Sequence, residues 1–213
     1  MNSRVNPWLE KSIQNILPLS NSTEFKSACQ EWTFTGEVVD YGEQREQCEL
    51  CEHDELRYHF NIINKTNSNN LWVGSSCILR FEEIIVLDEN NQHLLDRKER
   101  KKVLDAALKA KQLELCLEPI RQLWRCESSQ RYRIEYIAIG IKEGRAPQAD
   151  DLTYLFRLLK NNGIEFRPEI YSVNLRSEVS QYKLLSMKKE DQQIVWLCMS
   201  PTQKTKFRER LGL

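Results

Sequence analysis

Glycine and proline are scarce, seven and six in 213 residues, which excludes collagen-like order and long flexible linkers. Histidine is scarcer: His53, His59 and His93 are the only three, so there is little imidazole for general-base chemistry. No run approaches the roughly 18 apolar residues that a bilayer span needs. The stretch MNSRVNPWLEKSIQNILPLS has no continuous apolar segment and carries Glu10 and Lys11 in its middle, so it does not read as a secretory leader. The nucleophile-elbow pattern G-x-S-x-G, the phosphate-binding P-loop and the dinucleotide fingerprint G-x-G-x-x-G are all missing. There is no internal repeat and no low-complexity tract.

What is there is an ordinary globular composition, 40% hydrophobic and 29% charged, with enough apolar mass for a core. Seven cysteines without a leader point to a reducing, cytoplasmic setting, where metal binding or burial explains thiols better than disulfides do. The zero net charge hides an asymmetry. Residues 1–86 hold 7 basic and 13 acidic side chains, whereas residues 87–213 hold 24 and 18. Two parts are therefore expected, the second better suited to phosphates, although so modest an excess also fits an ordinary solvated surface.

The first part opens with a helical segment, 1–31. Pro7 sits at a helix start after Asn6, with Trp8, Leu9, Ile13, Ile16 and Leu17 at helical spacing, and Pro18 ends the helix. From Trp32 the period changes. WTFTGEVVDY reads as a strand interrupted at Gly36, and ELRYHFNIIN and LWVG as a hairpin joined by KTNSNN. SSCILRFEEIIVL reads as a helix with Ile78, Phe81, Ile84 and Ile85 inward. The polar stretch 88–96 is the expected boundary, giving a module at 32–90 and a helical region at 97–213. In RKERKKVLDAALKAKQLELCL, Val103, Leu104, Ala107, Leu108 and Leu115 share one face, and Lys98, Lys101, Lys102 and Lys109 the other. Pro119 is expected to break or restart that helix. RYRIEYIAIGIK suits both periods. ADDLTYLFRLLKNNG, a segment over about 188–198, and SPTQKTKFRERL, with Ser at the cap, Pro next and Gln three on, read as helices.

The chemistry concentrates in CELCEHDELRYHFNIINKTNSNNLWVGSSC. Cys48 and Cys51 form a C-x-x-C knuckle that points two thiolates at one spot, half of a tetrahedral zinc set. The hairpin returns the chain, Gly74 is expected to permit a sharp turn, and Cys77 lies in the first turn of a helix, where the dipole favours a thiolate. Knuckle, hairpin, then cysteine at a helix start is the order of a treble-clef zinc finger. For the fourth ligand the candidates are His59 on the first hairpin strand, Cys29 upstream and His53 close after Cys51, with water or no metal as the remaining options. A redox role for C-x-x-C is weaker, because extended sequence follows it and Glu46, Glu49 and Glu52 are expected to raise a nearby thiol pKa. Cys116, Cys126 and Cys198 lie in helical sequence without a knuckle and read as packing.

Cys48, Cys51, Arg57, Tyr58, Phe60, Val73, Gly74 and Cys77 together resemble a C-x-x-C…RY-x-[HF]…VG-x-x-C module of uncharacterised bacterial, phage and plasmid proteins. The resemblance covers roughly residues 34–82. It implies a zinc-binding fold and little about activity. Related modules often carry His where this chain has Phe60 and Asn64, so the resemblance supplies no fourth ligand.

The expectation is thus an α+β chain: a small zinc-stabilised β-hairpin/helix module, treble-clef-like, then a mainly helical region. Its function is expected to be non-enzymatic, as a binding, adaptor or regulatory protein. Nucleic acid would be met by Lys98, Lys101, Lys102 and Lys109, with Lys204, Lys206, Arg208 and Arg210 a second cluster. The alternative is a protein–protein interaction subunit, and no membrane partner is expected. A nuclease of the HNH type would need a histidine constellation for which only His59, Asn64 and His93 are available.

Overall fold

The computed structural model describes residues 6–212, a mixed α+β chain whose contacts divide into two units between Lys111 and Gln112. The division falls inside one helix and not in the polar stretch 88–96. The first five residues of the expected N-terminal segment lie outside the described residues.

In the first unit, helix α1 (Pro7–Ile16) starts at Pro7 as expected and runs into a single 3-10 turn over Leu17–Leu19. Helix α2 (Phe25–Cys29) is capped by the Glu24 carboxylate, which accepts from the amides of Lys26 and Ser27. Strands β1 (Trp32–Asp40), β2 (Tyr58–Asn64) and β3 (Asn70–Val73) form an antiparallel sheet in that order. Gly36, at φ +87°, sits where the β1–β2 register slips between Phe34 and Val38; only glycine takes that backbone cheaply, so the interruption read from sequence is a bulge. Phe60, Ile62 and Asn64 of β2 share the face that meets the helices, where Trp8 and Phe25 pack on Phe81 at ring separations of 5.5 and 5.2 Å. Asp40 and Arg57 close the far end of the β1–β2 pair with two charge-assisted bonds of 2.9 and 3.1 Å, the Asp40 side chain fully buried.

Helix α3 (Ser75–Arg80) is shorter than the periodicity predicts. The chain leaves the helix at Phe81, and Ile85 pairs with β1: its N–H donates to Trp32 O (2.8 Å) and its carbonyl accepts from Phe34 N (2.9 Å). Ile84, Ile85 and Val86 are β-branched, and covering an open sheet edge outweighs a further helical turn.

Helix α4 (Arg97–Cys126) continues through Pro119 without a break. Proline removes its own N–H from the ladder and crowds the carbonyl four residues back, and the burial of Leu117, Ile120 and Leu123 around it outweighs that cost. The second unit, from Gln112 on, comprises the rest of α4 with α5 (Arg131–Lys142), α6 (Ala149–Asn161), α7 (Glu178–Leu185), α8 (Lys189–Leu197) and α9 (Pro201–Leu211). Helix α6 runs through its core, with Leu152, Leu155, Phe156 and Leu159 buried and Phe156 against Phe166 and Tyr171. The Ser200/Gln203 capping box opens α9 as its sequence predicts. Helix α7 was not expected; its apolar positions show almost no helical periodicity. Among the described residues no helix is long and apolar enough to cross a membrane.

Candidate metal centre

Cys48, Cys51 and Cys77 converge. Their sulfurs all lie within 4.8 Å of one another, and Cys48 Sγ and Cys77 Sγ are 3.7 Å apart. A tetrahedral zinc with bonds of ~2.3 Å sets its sulfurs about 3.8 Å apart, so this pair already stands at ligand spacing. All three thiols are free, with Cys48 and Cys77 buried and Cys51 half-buried.

The knuckle is held by its own backbone. Cys48 N donates to His53 O (2.9 Å) and Glu52 N to Cys48 O (2.8 Å), with Glu52 and Glu55 in the left-handed region at φ 58° and 63°. It is tied to the free edge of β3: Glu49 N donates to Trp72 O, and Trp72 N to the Glu49 carboxylate. That tie brings Cys48 Sγ within 3.4 Å of the Gly74 N–H, at the entry to α3, whose first turn supplies Cys77. Gly74 itself has φ −70° and ψ 146°, open to any residue, so no glycine-specific turn is made there. What limits the position is room: a Cβ would come within 3.1 Å of Leu56 Cδ1.

The thiols share their protons unevenly. The hydrogen bond from Cys77, with N–H groups of Cys51, Gly74 and Leu50, lowers the Cys48 pKa to about 5 despite burial. The same bond, with burial, pushes Cys77 up, and burial pushes Cys51 up. The nearby glutamates do not govern Cys48, contrary to expectation. Glu49 is bound to Trp72 N, and Glu52 to Lys11 (2.9 Å) and Asn15 (3.2 Å). One ready thiolate and two thiols that a cation would deprotonate make a soft donor set.

Of the residues considered for a fourth ligand, the structure brings none into the thiol cluster. His59 stands one residue from Phe60, so the two-residue period of β2 turns it to the opposite sheet face. There its ring meets Tyr41 edge-on at 5.2 Å, with Nδ1 3.4 Å from the Tyr41 hydroxyl. Phe60 is the residue that shares the thiols' surroundings. Cys29 is fully buried in α2, its thiol pushed up to about 12 by that burial and by Glu83 and Glu24. His53 alone joins the three cysteines in lining an open cleft of about 640 Å³. His59 and Asn64 point to opposite faces of β2, and His93 sits by Arg100, so the residues of a nuclease site lie in three separate surroundings.

The expected cationic face is partly neutralised. Lys98 and Lys109 are exposed, but Lys101 pairs with Asp105 (2.6 Å) and Lys102 with Glu99 (2.7 Å). Arg100, in the middle of that run, is fully buried and was not singled out from sequence. Its guanidinium donates to the carbonyls of Ile78, Phe81, Glu82 and Leu94 at 2.5–3.3 Å, satisfying the C-terminal end of the helix that carries Cys77. The signal was present: Arg100 precedes Leu104 by four, on the buried face of α4. Cys126, expected to pack, is exposed at the end of α4.

A scan of protein-family models found no match to this chain, and searches of curated proteins and of solved structures found none either.

Proposed function

We propose that this is a non-enzymatic zinc-stabilised binding protein, an adaptor of the cytoplasm whose first unit is a treble-clef-like module held by Cys48, Cys51 and Cys77. The observation that carries the reading is the 3.7 Å approach of two buried thiols on separate elements, a knuckle and a helix start, with a third beside them. Thiols packed as plain hydrophobes have no reason to converge at ligand spacing. The C-x-x-C…RY…VG-x-x-C resemblance agrees with it. His53, which lines the same cleft as the three cysteines, or a water would complete the set.

Elemental analysis of the full chain and of Cys48→Ala tests this. The expectation is about one zinc per wild-type chain, lost in the variant together with the stability of the first unit. A stable wild type without metal overturns it. His53→Ala then separates the two completions: weaker metal binding assigns the imidazole, unchanged binding the water.

A second reading, contact with nucleic acid, is favoured by α9 more than by α4. Lys204, Lys206, Arg208 and Arg210 crowd α9, and among the described residues none of them makes an ion pair, whereas Lys101 and Lys102 do. Oligonucleotide binding that weakens steeply between about 50 and 200 mM salt, and is lost in Lys206→Glu/Arg210→Glu, would bear this reading out.

A further inference from the structure

Helix α5 has two apolar faces and only one is used. Ile134 and Ile137 are buried in the second unit's core, while Tyr132, Tyr136 and Ile139 stand 86%, 63% and 44% exposed along another side. This double pattern is why RYRIEYIAIGIK suits both sequence periods, and a solvent-facing helix has no internal need of the second face. Beside it runs an open groove of about 410 Å³ between α5 and the part of α4 that belongs to the same unit. Leu117, Ile120, Ala138 and Ile139 give it an apolar lining. Trp124 stands 41% exposed at its wall, held by Arg131, whose guanidinium lies 4.5 Å over the indole and whose Nε donates to Trp124 O (3.1 Å). The rim is cationic. Arg121, Arg125 and Lys142 line it with Glu135; Arg121 is paired with Glu118 (3.2 Å), and among the described residues neither Arg125 nor Lys142 has an ion-pair partner.

From this we infer that the α4–α5 groove docks an acidic amphipathic α-helix of a partner protein. Each part of the groove asks for that occupant. A trough between two helices accepts a third helix by interdigitating side chains, and among its described residues the unit offers no sheet edge for a strand. The apolar floor and a prearranged Trp take the Leu, Ile or Phe stripe of such a helix, and exposed Trp and Arg are the side chains that concentrate binding energy. Carboxylates flanking the stripe meet Arg125 and Lys142, whereas a basic helix, or a second copy bringing the same cations, is repelled. The surface belongs to the second unit alone and does not depend on metal in the first.

The test uses the full chain and a labelled Leu/Glu peptide, on the order of 18 residues so that it forms several turns. Its partner probe has every Glu replaced by Lys. The expected result is saturable binding of the acidic peptide, at least about tenfold tighter than the basic one, weakened about tenfold in Ile139→Asp and in Arg125→Glu/Lys142→Glu. Lys65→Glu, at an exposed cation of the first unit, leaves it unchanged. Ile139 and both cations are exposed, so these variants fold, and circular dichroism verifies it. Equal binding of the two peptides, or binding indifferent to Ile139→Asp, overturns the inference. So does concentration-dependent self-association abolished by Ile139→Asp, which assigns the face to a second copy, and so does oligonucleotide binding that Ile139→Asp abolishes.

Discussion

In the first unit three thiols turn toward one another, and Cys48 and Cys77 stand 3.7 Å apart; in the second, the buried thiols of Cys116 and Cys198 each turn to a main-chain carbonyl, Ile170 O at 3.3 Å and Pro168 O at 3.2 Å. The surroundings differ in the same sense. The first unit rests on a three-stranded sheet with polar ties: a buried Asp40–Arg57 pair, a buried Arg100 on four carbonyls, and a Glu31 carboxylate joining three segments. The second is helices around an apolar centre of Leu, Ile and Phe. A small sheet with directional ties gains from a cross-link, and a packed helical core does not need one. Cysteine count alone therefore says little. What separates a ligand set from core filler is whether the local backbone aims thiols at each other or at carbonyls.

The strongest way to break that comparison is to remove metal with a chelator and follow hydrogen exchange. Binding at a thousand times Kd stabilises by about 4 kcal/mol, so the first unit's melting temperature is expected to fall by about 20 °C. Its strands should lose protection while α6–α9 keep theirs. Unchanged protection of β1–β3 would remove the metal from the comparison, and simultaneous loss in both units would make them one cooperative fold. Next in size is Arg100→Ala. Four carbonyls lose a charged donor, and about 3–5 kcal/mol of first-unit stability should go with it in urea titrations. Arg100→Lys keeps the charge but loses the planar fork, and should recover only part. If Arg100→Ala costs no more than a surface substitution, the polar ties are not what holds this unit.

How much of this could be read from the sequence follows the same divide. The knuckle, the hairpin and Cys77 at a helix start were legible because a C-x-x-C pair and a strand–turn–strand are set by short spacings. The placement of His59 follows from the two-residue strand period once β2's helix-packed face is known, and which face that is depends on helices distant in sequence. The helix expected through residue 87 ends at Phe81 because Ile85 finds β1, a partner about fifty residues away that no local pattern contains. Arg100 hid inside a run of lysines, its charge outvoting its position on the apolar face of α4. In the second unit most helices follow from periodicity and caps. Helix α7 does not, since its exposed Val179 and Tyr182 blur its two faces.

A smaller effect probes the second unit. The buried hydroxyl of Tyr171 donates to Cys116 O at 2.7 Å, its ionisation suppressed first by burial and then by the two nearby thiols. Tyr171→Phe should cost about 1 kcal/mol, read in the protection of the second unit, because the buried Cys116 carbonyl loses a side-chain donor while the ring still packs. A cost below the error of the melt would mean that this hydroxyl is not a tie at all. It would leave the unit's buried polar ties to groups such as Gln192, which donates to Leu184 O and Leu185 O, and Asp191, which accepts from Arg157.

The smallest effect at neutral pH, and the one most specific to the first unit, comes from Glu31. Its carboxylate accepts from Ser22 Oγ (2.6 Å), Asn21 N (2.9 Å), Asn64 Nδ2 (2.8 Å) and Ser22 N (2.8 Å), linking the turn after α1 to the β2–β3 hairpin. Those donors, the Ser22 hydroxyl foremost, lower its pKa to about 2. A depressed carboxylate pKa stabilises the folded state above the unfolded value of about 4.3, and that stability is lost as pH falls toward about 2. Glu31→Gln should therefore be slightly less stable than wild type at pH 7, and the gap should close between about pH 4.3 and 2. Taking the difference between the two proteins would cancel the acid release of a metal held by the thiols, since both proteins keep all three cysteines. In the second unit the lowered carboxylate is Glu118, held by Gln122 and Arg121 of its own helix α4, so it ties no separate segments together, and burial pushes the Cys116 thiol up to about 11 and the Cys198 thiol up to about 12. A gap that stays constant from pH 7 to 2 would show that Glu31 acts by shape and not by charge. The first unit's acid sensitivity would then rest on Cys48, Glu24 and Glu52, whose pKa values are also lowered.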